Sequence, residues 1–285
     1  MDYKDITVGI VTYKSKKVLF NCLKSIKKIK KIIIFDNSND VDLKKEIKFF
    51  NPNIKFVLSK KNLGYGNGNN KIIKICKTKY LFILNPDTIL HKNCEKELLK
   101  TIKLKDINFS ILSPISKDKN FGAIRKNKKF LKNNLIQTNY IKGFAMLLDI
   151  KRIKKIGMFD KNIFLYLEEI DLCKRLILKK HKIFINNKAK IFHKGAKSSD
   201  IGFEFEKCRN WHWMWSKVYY EKKYSNNLIV YFKYIALMIL ILIKIILLLP
   251  INNSKKINLN YLRLSGLFNA LIGKSSWYRP VKVNN

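Results

Sequence analysis

Between residues 6 and 84 the chain alternates short, wholly apolar runs with polar or helical stretches, and few folds accept that pattern. Residues 6–11 (ITVGIV) read as a buried strand, closed by the polar segment 12–17. Val18, Leu19, Cys22, Leu23 and Ile26 then recur at spacings of three and four, the period of an amphipathic helix. Residues 32–35 (IIIF), 54–58 (IKFVL) and 80–84 (YLFIL) repeat the strand signal, and a further helix is expected over 69–76. Strand and helix alternating this way imply an α/β fold, a mostly parallel sheet with helices on its faces. Open sheets of that kind bind ligands beyond the carboxyl ends of their strands. The polar clusters DNSN (36–39), NLGYGNGNN (62–70) and NPD (85–87) all follow strands.

The second half is less regular. YIKGFAMLLD (140–149) reads as a strand or extended segment entered through Gly143, the acids of 168–171 open a helix, and 183–193 is a strand pair or a strand and turn. Beyond Glu204 the chain turns aromatic and basic, and 228–250 is a run of 23 mainly Ile and Leu residues. At about 1.5 Å per residue such a helix is long enough for a hydrocarbon core of ~30 Å. Lys233 and Lys244 interrupt it, eleven residues apart and so about 20° from eclipsed. One lysine stripe favours a helix lying in the membrane interface with its ammonium groups in water, over a span or a soluble core helix. A second amphipathic, basic helix is expected near 259–272.

The chain carries 59 basic and 20 acidic residues, a net charge of +39, with only 6 Arg among the 59. The lysines are dispersed, which A/T-rich coding also produces, and the remainder of the excess suggests attraction to an anionic lipid surface. Dispersed lysines and the lack of a recognised module argue against a nucleic-acid partner. Five widely spaced cysteines without a CxxC predict neither a disulfide framework nor a zinc site. The charged first residues lack the apolar stretch of a signal peptide, so the chain is expected to stay in the reducing cytoplasm.

Each polar cluster alone has a plain structural reading. DNSN makes turns, yet an Asp at a strand's carboxyl end can accept from a base or ribose. The glycine loop is not GxGxxG; its glycines allow close approach to a ligand, and Asn69 is placed to cap the next helix. NPD offers one hard oxygen ligand, Asp87, for a cation shared with substrate phosphates. In LEEIDLCKR, Glu168 and Asp171 share a helix face while Glu169 points elsewhere; they suit a helix dipole or a general base. His193 is either structural or a donor to a phosphate.

Taken in order, T-Y, DNS, NLGYGNGNN, LNPDT, KGFAMLLDIKRIKKIGMFD, IFLYLEEIDLCKR and H-K-G-A-K-S strongly resemble the inverting nucleotide-sugar glycosyltransferases of the GT-A fold, family 2, and within them the bacterial rhamnosyltransferase-like branch. The resemblance covers about residues 5 to 220, and LNYLRLSGLFNALIGK is similar to membrane-proximal helices that end that branch. It implies a GT-A domain over 1–222 and a membrane-associating helical segment over 223–285. It also implies roles: Thr12, Tyr13 and Asp36 at the base and ribose, with Asn37 among the nucleotide-binding residues; Asn62, Gly64 and Asn70 beside ribose and diphosphate; and Asp87, with the nucleotide-binding Asn85, at the position of the metal-binding DXD motif, Asp87 on Mg²⁺ or Mn²⁺. Gly143 and Ala145 would line the transferred sugar, and His193 and Arg209 the acceptor or diphosphate. Glu169 occupies the place of the catalytic base, where the family usually has Asp. That extra methylene leaves Glu168 and Asp171 as alternative bases.

The expectation is a metal-dependent hexosyl or rhamnosyl transfer from a nucleotide-sugar donor to a lipid-linked saccharide in bacterial surface polysaccharide assembly. It would take place at the cytoplasmic face of the inner membrane, with the protein held there peripherally. The alternatives are a non-catalytic membrane-bound assembly subunit of the same fold and a basic nucleic-acid-binding protein.

Overall fold

The structure, a computed structural model, describes residues 1–116, 134–193 and 202–279 and the backbone of 129–130. It divides into two compact units, Met1–Asp160 with Glu168–Ser199, and Lys161–Leu167 with Asp200–Asn285. The 194–198 part of the H-K-G-A-K-S motif lies outside the described residues.

The first unit opens with β1 (Ile6–Thr12), α1 (Lys16–Ser25), β2 (Lys31–Asp36), α2 (Val41–Phe50), β3 (Lys55–Leu58), α3 (Gly64–Ile75) and β4 (Tyr80–Leu84). There follow β5 (Thr88–Leu90), α4 (Cys94–Lys103), β6 (Ile111–Ser116), β7 (Lys129–Phe130), β8 (Leu135–Thr138), β9 (Ala145–Asp149), α5 (Ile150–Ile156), α6 (Glu168–Leu178) and β10 (Ile183–His193). The strands form one mixed sheet ordered β3-β2-β1-β4-β9-β6-β10-β8-β7, with β5 paired to β10. The first four are mutually parallel, as the alternation requires. Strand order reverses beside β1, which pairs with β2 on one side and β4 on the other. Loops leaving β1 and β4 therefore flank the crevice where open sheets bind ligands.

Two sequence readings need correction. The expected helix at 69–76 begins five residues earlier, at Gly64, because Gly64 takes φ 80° and its N–H donates to Asn62 Oδ1 at 2.9 Å. Asn69 is therefore no cap; it sits inside α3, donating to the Tyr65 carbonyl at 3.1 Å. The segment 183–193 is one strand, bent by a bulge between Asn186 and Lys190. Asn186 holds that bulge by accepting from the Lys188 and Ala189 N–H groups. The bend delivers His193 opposite Thr88 of β5.

The second unit is helical: α7 (Gly202–Tyr224), α8 (Asn227–Leu248) and α9 (Ser254–Leu271). Its core joins Trp211, Trp215 and Val218 to Val230, Tyr234, Ile241, Leu262 and Leu267. Gly266 lets α9 touch the α7 backbone, since a Cβ there would overlap the Trp211 carbonyl. Trp211 Nε1 donates to Ser265 Oγ at 3.1 Å and Trp215 Nε1 to the Lys274 carbonyl at 2.9 Å. The division expected at 222/223 falls inside α7, and the structure groups that helix with the two after it because its tryptophans fill their core.

Candidate active site

The crevice on the β1 and β2 side is organised by Asp36, fully buried at the end of β2. Its carboxylate accepts from Thr12 Oγ1 at 2.9 Å, Ser38 Oγ at 2.7 Å and the Asp40 N–H at 2.8 Å. Asn37 joins this loop to the next, donating to the Gly64 carbonyl at 3.1 Å and accepting the Leu63 N–H at 3.0 Å. The result is a cross-braced pair of loops above the strand ends.

On the β4 side, the chain turns sharply at Asn85-Pro86-Asp87. Asn85 N–H and Thr88 Oγ1 both donate to the Phe144 carbonyl, at 2.8 and 3.3 Å. Asp87 is 2% exposed, and both its carboxylate oxygens lack a hydrogen-bond partner, as does Asn85 Oδ1. His193 Nε2 approaches Asp87 Oδ1 at 3.3 Å, with its ring stacked on Phe144 at 4.4 Å and 16°. Buried acceptor oxygens left without donors are costly in a stable fold, and they suit a hard divalent cation. The residues present therefore fit Mg²⁺ or Mn²⁺ held by Asp87, with Asn85 and His193 beside it, and completed by substrate oxygens. Among the described residues, no group of three or more His, Cys, Asp or Glu forms an all-protein cage.

The third wall is the start of α6. Glu168 is 4% exposed, packs where a Cβ on Gly66 would meet its own Cβ at 3.4 Å, and leaves Oε2 unpaired. Burial pushes its carboxyl well above the usual range, and the Glu169 charge adds to this. Glu169 is half-buried, with its side chain against Gly143, where a Cβ would meet it at 3.5 Å. Burial raises Glu169 as well, opposed by main-chain hydrogen bonds at Glu169, Gly143 and Ile170 and by the Lys142 charge. Tyr65 hydroxyl donates to the Gly143 carbonyl. Gly143 and Phe144 are thus a two-residue bridge, one touching the acids of α6 and the other holding the Asp87 turn.

Residues 7–171 match the family described as Glycosyl transferase family 2. The chain belongs to that family. A hexosyltransferase of low-salt glycan biosynthesis, Agl10 of Haloferax volcanii, is 26% identical over 191 residues, 60% of this chain and 61% of that protein. A processive diacylglycerol β-glycosyltransferase of Mycoplasma genitalium is 31% identical over 119 residues, 38% of this chain and 35% of its own length. The chain spans at most about three fifths of the length of these curated relatives. Among solved structures, the mannosyltransferase PcManGT of Pyrobaculum calidifontis, in complex with GDP-Man and Mn²⁺, superposes with a TM-score of 0.59 at 10% identity. It covers 95% of this chain and 88% of its own. TarS of S. aureus gives 0.53 at 17% identity, over 74% and 65%. The fold is GT-A, with a C-terminal set of helices following it.

Within that family 2 frame, the first unit brings together Asp87, Asn85, Gly143, Glu168, Glu169 and His193. Ala145 pairs with Leu84 at the head of β9, and its carbonyl accepts from Ser113. Thr12, Asn37, Asn62 and Gly64 brace the loops on the β1 side, while the Tyr13 N–H donates to Ser15 Oγ at 3.1 Å. Three expected site residues have other occupations. Asp36 accepts from Thr12 at the end of β1 and from Ser38 and Asp40 of its own loop, so it braces the crevice. Asn70 is clamped to the Phe159 main chain by two hydrogen bonds, at 2.9 and 3.0 Å. Asp171 is fully buried and pairs with Arg175 Nε at 2.8 Å, so it is no free base. Arg209 belongs to the second unit, where its Nε donates to Tyr166. Sequence reasoning did not single out Phe144 or Tyr65, and it read Gly66 only as one of the loop glycines; the Gly64-Tyr65-Gly66 triplet was the available signal for Tyr65.

Proposed function

We propose that the protein is an inverting glycosyltransferase that moves a hexose or rhamnose from a nucleotide-diphospho-sugar to a hydroxyl of a lipid-linked saccharide. The observation carrying this reading is the Gly143–Phe144 bridge, which sets the unpaired oxygens of Asp87 and the carboxyl of Glu169 at one crevice. Glu169 takes the proton of the acceptor hydroxyl as its oxygen attacks the anomeric carbon opposite the leaving diphosphate. The bond from that carbon to the diphosphate oxygen breaks, and its electron pair leaves with the nucleotide. A positioned base contributes about 10²–10⁴-fold. Asp87, with Asn85 and His193, would hold Mg²⁺ or Mn²⁺, whose chemistry when bound is neutralisation of charge on the leaving diphosphate.

Glu169 rather than Asp171 acts as base because Asp171 is engaged by Arg175, and rather than Glu168 because Glu168 is buried against Gly66 while Glu169 is half-buried beside Gly143. The GDP-Man and Mn²⁺ in PcManGT support a nucleotide-sugar donor and a divalent cation, and the diacylglycerol in the name of the Mycoplasma relative supports a lipid-linked acceptor. The lysine excess supports work against an anionic membrane, at the cytoplasmic face of the inner membrane with the protein peripheral. The domain assignment that goes with this reading is catalysis by the first unit and membrane association by the C-terminal helices.

The test is a panel of nucleotide sugars incubated with lipid-linked and soluble saccharide acceptors, with Mn²⁺ or Mg²⁺, and product anomers read by NMR. Inverted product is expected; retained configuration, or no transfer with any donor, rejects the reading. The second reading is a non-catalytic subunit, favoured by Glu in place of Asp at 169, and only that reading survives nucleotide binding without transfer.

A further inference from the structure

The helix α8 has a mean hydropathy of 2.4 over its most apolar 18-residue window, yet only 17% of that window is buried. Its buried seam is narrow: Val230, Tyr234 and Ile241, with Leu237, Met238 and Ile245 beside them, face the core shared with α7 and α9. At 100° per residue this seam covers about one quarter to one third of the circumference. Phe232, Ile235, Ile239, Ile243, Ile246 and Leu247 are all exposed and fall on the opposite side. With their neighbours they make an apolar arc of roughly 180°.

The edges of the arc are polar. Lys233 and Lys244 lie on one flank, about 110–130° from its centre. Lys233 Nζ is paired there with Glu221 at 2.7 Å. Tyr231 lies on the other flank, its hydroxyl donating to the Leu271 carbonyl at 2.9 Å. A half-cylinder of aliphatic side chains bounded by lysines and a tyrosine is the cross-section of a helix seated at a water–lipid boundary.

The packing decides between lying and crossing. From Val230 to Ile245, about 22 Å of helix at 1.5 Å per residue, α8 is lined by its neighbours. Those neighbours carry Glu221 and Lys222 on α7, and on α9 Arg263, whose Nε donates to Asn210 of α7 at 2.7 Å. A crossing α8 would drag these charges into hydrocarbon, at a cost of several kcal/mol each.

We infer that α8 lies in the plane of an anionic bilayer surface, its apolar arc embedded among the upper acyl chains and Lys233 and Lys244 at head-group level. This rests on the membrane part of the proposed function and specifies its partner and geometry. The occupant is lipid because the arc is aliphatic along its whole length and the charges beside it, on a chain of net +39, are complementary to anionic head groups.

The experiment uses the full chain with vesicles of phosphatidylcholine alone or with phosphatidylglycerol added. Sedimentation with the anionic vesicles is expected, and Ile239→Asp with Ile243→Asp should lower the bound fraction by about tenfold or more. Both positions are exposed, and circular dichroism checks the fold. Nitroxides placed by Phe232→Cys, Ile239→Cys and Ile246→Cys report depth, the five native cysteines being buried. Equal, shallow depths support the inference. Depths graded through the bilayer centre overturn it in favour of a span. Failure to bind either vesicle, with self-association through the arc in lipid-free buffer, overturns it in favour of a second copy. Transfer to a lipid-linked acceptor presented in detergent micelles, assayed alongside, separates the two readings, because it needs no vesicle binding and is missing only if the proposed chemistry is wrong.

Discussion

His193 Nε2 stands 3.3 Å from Asp87 Oδ1 while its ring stacks on Phe144, whose carbonyl holds the Asp87 turn. Imidazole and carboxylate are therefore fixed by the same residue. Replacing Asp87 with Asn keeps the shape and removes the charge. Turnover is expected to fall about 10²–10³-fold, the range for losing a major electrostatic stabiliser. Metal-dependent thermal stabilisation by nucleoside diphosphate should fall with it. Unchanged rates at saturating Mn²⁺ and Mg²⁺ would remove Asp87 from the site.

The three acids of α6 separate by environment. Glu169→Gln should cost about 10²–10⁴-fold in turnover with the melting temperature preserved. Glu168→Gln keeps a neutral side chain where burial already favours one, so it should retain most of the wild-type rate. Initial rates for the two variants check this assignment, and the reverse ranking would make Glu168 the base.

Asp171 answers to stability. It is fully buried against Arg175, which also donates to the Ile156 carbonyl at 2.8 Å and to the Met158 carbonyl. Removing one partner of a buried pair typically costs about 3–5 kcal/mol. Arg175→Ala should therefore lower the urea midpoint more than any substitution at Glu169, with the loss read by circular dichroism.

Two buried groups set opposite pH trends. His212 donates from Nε2 to the Tyr278 carbonyl at 2.8 Å, and burial pushes it down from 6.5 to about 3. The unfolded chain then binds the extra proton between those values, so this stabilisation is lost as pH falls through 6.5. Glu168 is raised, so the folded chain binds the extra proton, and its contribution is lost as pH rises above 4.5. Trp211, Trp213, Trp215 and Trp277 all belong to the second unit, so tryptophan emission follows the unfolding that exposes His212. His212→Gln should flatten the acid limb by up to about 1.4 kcal/mol per pH unit. An unaltered slope between pH 6 and 4 would contradict the assigned tautomer and burial.

The parallel half of the sheet was legible because β1 and β4 are buried throughout and β2 beyond Lys31, and all three read as largely apolar runs. Their expected ends fall within a residue of the observed ones. The helix α2 went unread because Lys and Glu fill most of its surface and its buried stripe is only Leu43 and Ile47. Asp87 and Glu169 stood out as candidates by chemistry and place, and the structure sets both beside the Gly143–Phe144 dipeptide. What sequence did not show is that Asp36, Asn70 and Asp171 are held by protein partners, because Thr12, Phe159 and Arg175 stand 24, 89 and 4 residues away from them. Phe144 carried no signal, since its contribution is a carbonyl direction and a ring face.

Gly143 and Phe144 are consecutive, so their Cα atoms lie about 3.8 Å apart whatever the rest of the molecule does. One leans on the carboxyl of Glu169; the other anchors the turn that carries Asp87. A single peptide plane is consequently the ruler between those two carboxylates, and any insertion in that dipeptide would lengthen the ruler itself.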